Sequence, residues 1–196
     1  MKPVLILAQG RSGGTWFADE VAKLVGDKAA LFYEPLNTDY NIRESLKIRH
    51  TPPINKHRVR TDMFRAYHML DVDKLLTLPP CERLLYIVLA AQGQGLVPVV
   101  KVCRFAGRAE VLAACYDWHV LHFWREFQPQ FESRAKIELG AYYWGEAHAY
   151  GTYDEYEVWR LAKDEGQRVA DLSIQYEDLV NDQEHQLDRV GELIHV

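Results

Sequence analysis

Cysteine is scarce in this chain. Cys81, Cys103 and Cys115 are the only three in 196 residues, and none forms a C-x-x-C pair, which argues against a disulfide framework and against a four-cysteine zinc site. Reduced, buried thiols are expected instead. Long apolar runs are missing too: nothing approaches the roughly eighteen residues needed to cross a bilayer, and Met1–Gln9 is too short for a signal peptide's apolar region and cleavage site. A cytoplasmic protein without a membrane span is therefore expected. Nor is there an excess of positive charge, since the formal net charge is −5 and the pI is near 5.9, so the overall field gives no reason to expect nucleic acid as a partner. Internal repeats and low-complexity segments are absent. What remains, 48% hydrophobic and 26% charged, is the composition of one globular domain spanning residues 1–196, long enough to bury a proper core.

Short apolar runs alternate with helical periodicity along the chain. Pro3–Ala8 (PVLILA) runs into Gln9-Gly10-Arg11-Ser12-Gly13-Gly14, after which Thr15–Val25 repeats apolar residues at helical spacing. That is strand, turn, helix. Ala29–Tyr33 reads as a second buried strand stopped by Pro35, Glu82–Ala91 as a helix, Val97–Cys103 as a strand, Arg108–Cys115 as helical and Trp118–Trp124 as another buried strand. A helix over Ile137–Lys163 with a break near Gly151, a strand over Asp171–Tyr176 and a closing helix over Glu184–Ile194 complete the pattern. Fully apolar strands alternating with helices predict a three-layer α/β fold with a central parallel sheet flanked by helices. One stretch departs from the average charge: between Arg43 and Arg65 seven basic residues face two acidic ones, and Pro52-Pro53 interrupts it. A basic loop or lid over about residues 41–65, turned either to an anionic ligand or to solvent, is the expectation.

The N-terminal strand-turn-helix carries the strongest local signal. Glycines let the backbone curl so that several N–H groups converge, and the helix that follows adds its positive dipole end, which together make an anion site. A nucleotide-hydrolysing loop of the form G-x-x-x-x-G-K-[ST] would place lysine at the position of Trp16 if counted from Gly10. Neither that lysine nor the metal-holding hydroxyl is in register, which argues against an ATPase or GTPase.

Arg11-Ser12-Gly13-Gly14-Thr15-Trp16 after a buried strand resembles the 5′-phosphosulfate loop of the sulfotransferase family. Two further segments strengthen the resemblance: Arg125 at the end of the apolar strand with Ser133 eight residues later, and Tyr176-Glu177-Asp178-Leu179 after a strand. The resemblance implies a P-loop nucleoside-triphosphate-hydrolase-like fold and, as co-substrate, 3′-phosphoadenosine 5′-phosphosulfate, with no metal. It implies that Ser12, Gly13, Gly14 and Thr15 hold the 5′-phosphate, that Arg11 meets the bridging oxygen, and that Arg125 and Ser133 hold the 3′-phosphate. Trp16 and Tyr176 would face the adenine, and Lys101 matches a strand-end lysine that supports the sulfonate. The implied reaction moves a sulfuryl group to a hydroxyl or amine of a small molecule or glycan. An atypical P-loop small-molecule kinase and a non-catalytic nucleotide binder of the same fold are the alternatives, and a homo-oligomer stays open.

The chain departs from the family at three places. Gly14 stands where many members have Thr, and Cys103 where the eukaryotic cytosolic members have His. The sequence also ends at Val196 without the Gly-rich basic segment that closes over the nucleotide in many members, so truncation at the C-terminus or completion by a partner is expected. Without that His, Glu34, just past the second apolar strand, is the candidate base, with His50, His57 or His68 as substitutes. Tyr142, Tyr143, Trp144, Tyr150, Tyr153, Tyr156 and Trp159 crowd one stretch and suit either an acceptor pocket or helix packing. His119 and His122, three apart on a strand, point to opposite faces, so buried hydrogen-bonded histidines are expected rather than metal ligands.

Overall fold

The computed structural model describes residues 1–36, 66–135 and 146–195. Five strands, β1 (Val4–Ala8), β2 (Ala29–Tyr33), β3 (Val97–Val102), β4 (His119–Trp124) and β5 (Leu172–Gln175), form one sheet in the order β2-β3-β1-β4-β5. All four pairings are parallel. Parallel strands need crossovers, and these carry the helices α1 (Gly14–Val25), α2 (Val72–Thr77), α3 (Pro80–Gln92), α4 (Ala109–Ala114), α5 (Phe127–Ala135) and α6 (Glu155–Val169), while α7 (Tyr176–Asn181) and α8 (Gln183–Ile194) follow the last strand.

The apolar runs of β1 to β4 are continuous because each of these strands feeds two cores, whereas β5 turns Leu172 and Ile174 to one of them. Leu5 and Leu7 of β1 join Phe32, Val100, Val102 and Val120 beneath α2, α3, α4 and α6, whereas Val4, Ile6 and Ala8 join Val99, Leu121 and Phe123 beneath α1, α7 and α8. Burial of each large side chain stabilises by about 1.5–3 kcal/mol. The same alternation puts Lys101 of β3 on the α1 side, where it is the one charged residue in a fully buried strand.

The chain leaves β1 toward β2 and leaves β4 toward β5, although β1 and β4 are neighbours. Connections that part in opposite directions open a crevice at the carboxyl ends of those two strands, the usual place for a ligand in such sheets.

Several boundaries differ from expectation. Tyr176 begins α7 instead of ending a strand, because β5 stops at Gln175, the N-cap of that helix. Trp118 precedes β4, and Cys103 lies just past β3. The stretch expected to be helical over 137–163 with a break near Gly151 does break there, with residues 146–150 helical and Gly151 at φ 68°, but α6 restarts only behind the Asp154 cap and runs on to Val169. The short helix α2, unforeseen, is capped by Asp71, whose carboxylate accepts from the Lys74 N–H at 3.1 Å. Of the cysteines only Cys103 is buried; Cys81 and Cys115 are half-buried, so the expectation of three buried thiols is corrected. The basic stretch from Arg43 to Arg65, with His50 and His57, and also Tyr142, Tyr143 and Trp144, lies outside the described residues. No helix among the described residues is long and apolar enough to cross a membrane.

Candidate active site

The turn from β1 to α1 is shaped by backbone geometry. Ser12 N–H donates to the Gln9 carbonyl at 3.1 Å, and Arg11 (φ 69°) and Gly13 (φ 90°) both take left-handed backbone. Gly13 is there of necessity: besides its φ, a Cβ would lie 2.8 Å from the Tyr176 ring. At Gly14 a Cβ would meet Ala8 Cβ at 2.5 Å and Lys101 Cε at 3.2 Å, so the β1 and β3 side chains occupy the space that a threonine would need. Ser12 Oγ is buried and has no hydrogen-bond partner among the described residues.

Around this turn the structure gathers the other candidates. Arg11 Nε donates to Ser133 Oγ on α5 at 3.2 Å, with Arg11 itself exposed. The Tyr176 ring, which covers Gly13, has the Arg125 guanidinium over its face at 4.4 Å and Trp16 at its edge, centroids 6.1 Å apart. Arg125 also faces Glu177 at 3.5 Å. Both side chains of that pair are partly exposed, so it is worth only about 0–1 kcal/mol and leaves Arg125 free to turn to a stronger anion. Thr15 is exposed at the start of α1, and its carbonyl accepts from Tyr33 Oη at 2.7 Å. His68 lies in a short helical turn, residues 66–69, whose Tyr67 hydroxyl donates to the Tyr33 carbonyl at 2.6 Å.

A second cluster abuts Gly14. Glu34 follows β2 with φ 49°, and its backbone N–H donates to the Lys101 carbonyl at 2.8 Å. Its carboxylate accepts from Lys101 Nζ at 2.5 Å and from the Cys103 backbone N–H at 2.9 Å, while Lys101 Nζ also reaches Cys103 Sγ at 2.7 Å. Only 7% of the Lys101 side chain and 17% of the Glu34 side chain are exposed. Burial on its own disfavours the Lys101 ammonium; the Glu34 carboxylate and the hydrogen bonds to it and to Cys103 more than offset it, and the net shift is upward. Burial, then the Glu34 charge, push the Cys103 thiol up to about 12, so it stays protonated at neutral pH. The Cys103 thiol therefore takes up no proton there, although its backbone N–H helps to hold Glu34.

Three residues outside the candidate site set, one of them Trp159 from the aromatic stretch that suits either an acceptor pocket or helix packing, support the loop. Gln9 Nε2 donates to the Trp159 carbonyl at 2.9 Å, Gln130 Nε2 donates to the Gly10 carbonyl at 2.8 Å, and Trp159 Nε1 donates to the Arg125 carbonyl at 2.9 Å. Gln9 carried a signal in the sequence, a polar residue closing an apolar run; Gln130, on a helix of ordinary composition, carried none. The rest of the aromatic stretch is divided. Tyr150 donates to the buried Glu165 carboxylate, which also caps α4 by accepting from Ala109 N–H at 2.7 Å, and Tyr153 and Tyr156 are exposed. His122 is buried with Nδ1 3.1 Å from Ser173 Oγ, and His119 is buried as well.

No protein-family model and no curated protein matches the chain. Among solved structures it is similar to the sulfotransferase domain from the Synechococcus PCC 7002 olefin synthase, at 18% identity, with a TM-score of 0.59 over 100% of this chain and 74% of that one. A five-stranded parallel sheet flanked by helices, with a glycine-rich turn opening α1, thus gives this chain the fold of a sulfotransferase domain.

Proposed function

We propose that the chain is a sulfotransferase that moves a sulfuryl group from 3′-phosphoadenosine 5′-phosphosulfate to a hydroxyl or amine of a small molecule or glycan. The observation that carries this reading is the convergence of Arg11, Ser133, Arg125 and Tyr176 on the Ser12–Gly13 turn, beside a Lys101–Glu34 pair. The residues fit such a donor: Ser12 Oγ is a buried hydroxyl without a partner among the described residues, in a glycine turn that opens directly into the N-terminus of α1. The loop N–H groups, Ser12 and Thr15 would hold the 5′-phosphate, Arg125 and Ser133 the 3′-phosphate, with Trp16 and Tyr176 against the adenine.

Transfer forms a bond from sulfur to the acceptor oxygen or nitrogen as the sulfur bond to the bridging oxygen breaks. Arg11 would stabilise the charge growing on that bridging oxygen. Lys101 would turn from Glu34 to the sulfonate, and the released Glu34 oxygen would take the acceptor's proton. One anion recruits the lysine and thereby frees the base.

Thermal unfolding with 3′-phosphoadenosine 5′-phosphate, with magnesium-ATP and with AMP tests the reading. A specific ligand at ~100 times its Kd adds about 2.7 kcal/mol, which for this size of domain raises Tm by roughly 5 to 10 °C. The bisphosphate alone is expected to do so. A clear rise with magnesium-ATP and none with the bisphosphate would replace the sulfotransferase with a kinase.

A further inference from the structure

Beyond the ends of β1 and β4 the ladder hydrogen bonds stop, and the backbone needs other partners to stay in place. Gln9 follows β1 and Arg125 follows β4, and one residue of α6 serves both. The Trp159 carbonyl accepts from Gln9 Nε2 and its indole Nε1–H donates to the Arg125 carbonyl, each at 2.9 Å. Gln9 is buried, so its amide has no water to fall back on. The indole is itself fixed: Tyr156, Phe127 and Trp124 pack around it with centroids 5.5, 5.9 and 6.3 Å away, and Lys163 sits 5.3 Å from its centroid.

We propose that Trp159 is a positioning residue that ties the 5′-anion turn to the 3′-phosphate arginine across the crevice between β1 and β4. The assignment rests on the donor reading above and extends it. Trp159 touches neither anion site with its own polar atoms; its N–H sets where the Arg125 backbone sits, and hence where the guanidinium can reach. Its carbonyl holds Gln9 at the root of the turn. The two links have separable consequences. Loss of the N–H loosens only the 3′ side, whereas loss of the Gln9 amide loosens the turn that every 5′-phosphate must use.

Titration of 3′-phosphoadenosine 5′-phosphate and of AMP against three forms of the chain tests this. Trp159→Phe keeps a ring and removes the donor; it is expected to weaken the bisphosphate roughly 3- to 10-fold, the scale of one net hydrogen bond, and AMP by less than about twofold. Gln9→Met is expected to weaken both nucleotides by similar factors. In the unaltered chain the Trp159 indole N–H resonance, assigned through its own backbone signals, should shift with the bisphosphate and not with AMP. That measurement decides the matter even if Trp159→Phe fails to fold. Bisphosphate binding with an unchanged ratio to AMP in Trp159→Phe, or an indole signal that responds alike to both nucleotides, overturns the assignment alone. No binding of the bisphosphate to the unaltered chain overturns the donor reading and this assignment with it.

Discussion

Arg11 and Glu34 both leave the end of a buried strand in left-handed backbone, and among the described residues they are the only non-glycine positions with positive φ. Such backbone costs on the order of 1–3 kcal/mol and persists only where the surroundings impose it. The two are imposed by different means. The Arg11 turn is held by neutral groups, through Gln9, Gln130 and the Tyr176 ring, and its own cation is exposed with the Ser133 hydroxyl as its partner among the described residues. The Glu34 turn is held by charge: Lys101 and the Cys103 N–H on its carboxylate, with Tyr67 on the Tyr33 carbonyl and Arg83 on the Pro35 carbonyl. The first region presents positive charge that an incoming anion meets without breaking anything strong. The second has its charges already satisfied by each other, so it acts only by exchanging partners. Under the proposed function, binding belongs to the first and chemistry to the second.

The largest effect expected from breaking this contrast is on turnover. Glu34→Gln should lower sulfuryl transfer from labelled donor, measured over a panel of hydroxyl and amine acceptors, by roughly 10² to 10⁴, with bisphosphate affinity within about threefold. Near-normal transfer in that variant would remove Glu34 from the base's role. Next in size is the binding side. Arg125→Ala should weaken the bisphosphate by about 1.5–3 kcal/mol in calorimetric titration while AMP hardly changes, and Ser133→Ala should act in the same direction and less strongly. Equal losses for both nucleotides would mean that these residues do not read the 3′-phosphate.

The smallest effect concerns the opposite face of β4. Burial, with Lys163 nearby, lowers the His122 pKa from an ordinary 6.5 to about 3. The unfolded chain therefore takes up a proton below about pH 6.5 that the folded chain refuses until about pH 3, so stability falls with pH across that window. The slope from one such group is at most ~1.4 kcal/mol per pH unit, or about 2 kcal/mol between pH 7.5 and 5. Urea unfolding of His122→Gln should show an acid loss smaller by that amount; an unchanged acid slope would show that His122 does not carry it.

Where local chemistry speaks, the sequence was readable. Ala29–Tyr33 was bounded as the strand that it is, since five apolar residues end before Glu34-Pro35, and the β1-turn-α1 unit was visible because a glycine-rich turn after an apolar run has few other uses. The sequence pattern puts Tyr176 in a strand because Leu172–Gln175 runs into it without a break, yet it opens α7 and folds back over Gly13. That placement depends on a contact 163 positions away in the chain, which no local pattern reports.

The sequence by itself determined the layered α/β fold, the glycine-rich turn and the identity of the charged groups, because strand alternation, glycine and apolar periodicity act over a few residues. Only the tertiary structure decided how those groups are paired. Lys101 lies against Glu34 because β2 and β3 are neighbours in a register that sets Tyr33 opposite Lys101, and Trp159 bridges Gln9 and Arg125 because α6 packs over the ends of β1 and β4. Electrostatic and hydrogen-bond energies fall steeply with distance, and the distances between these residues are fixed by sheet order and helix packing rather than by separation along the chain.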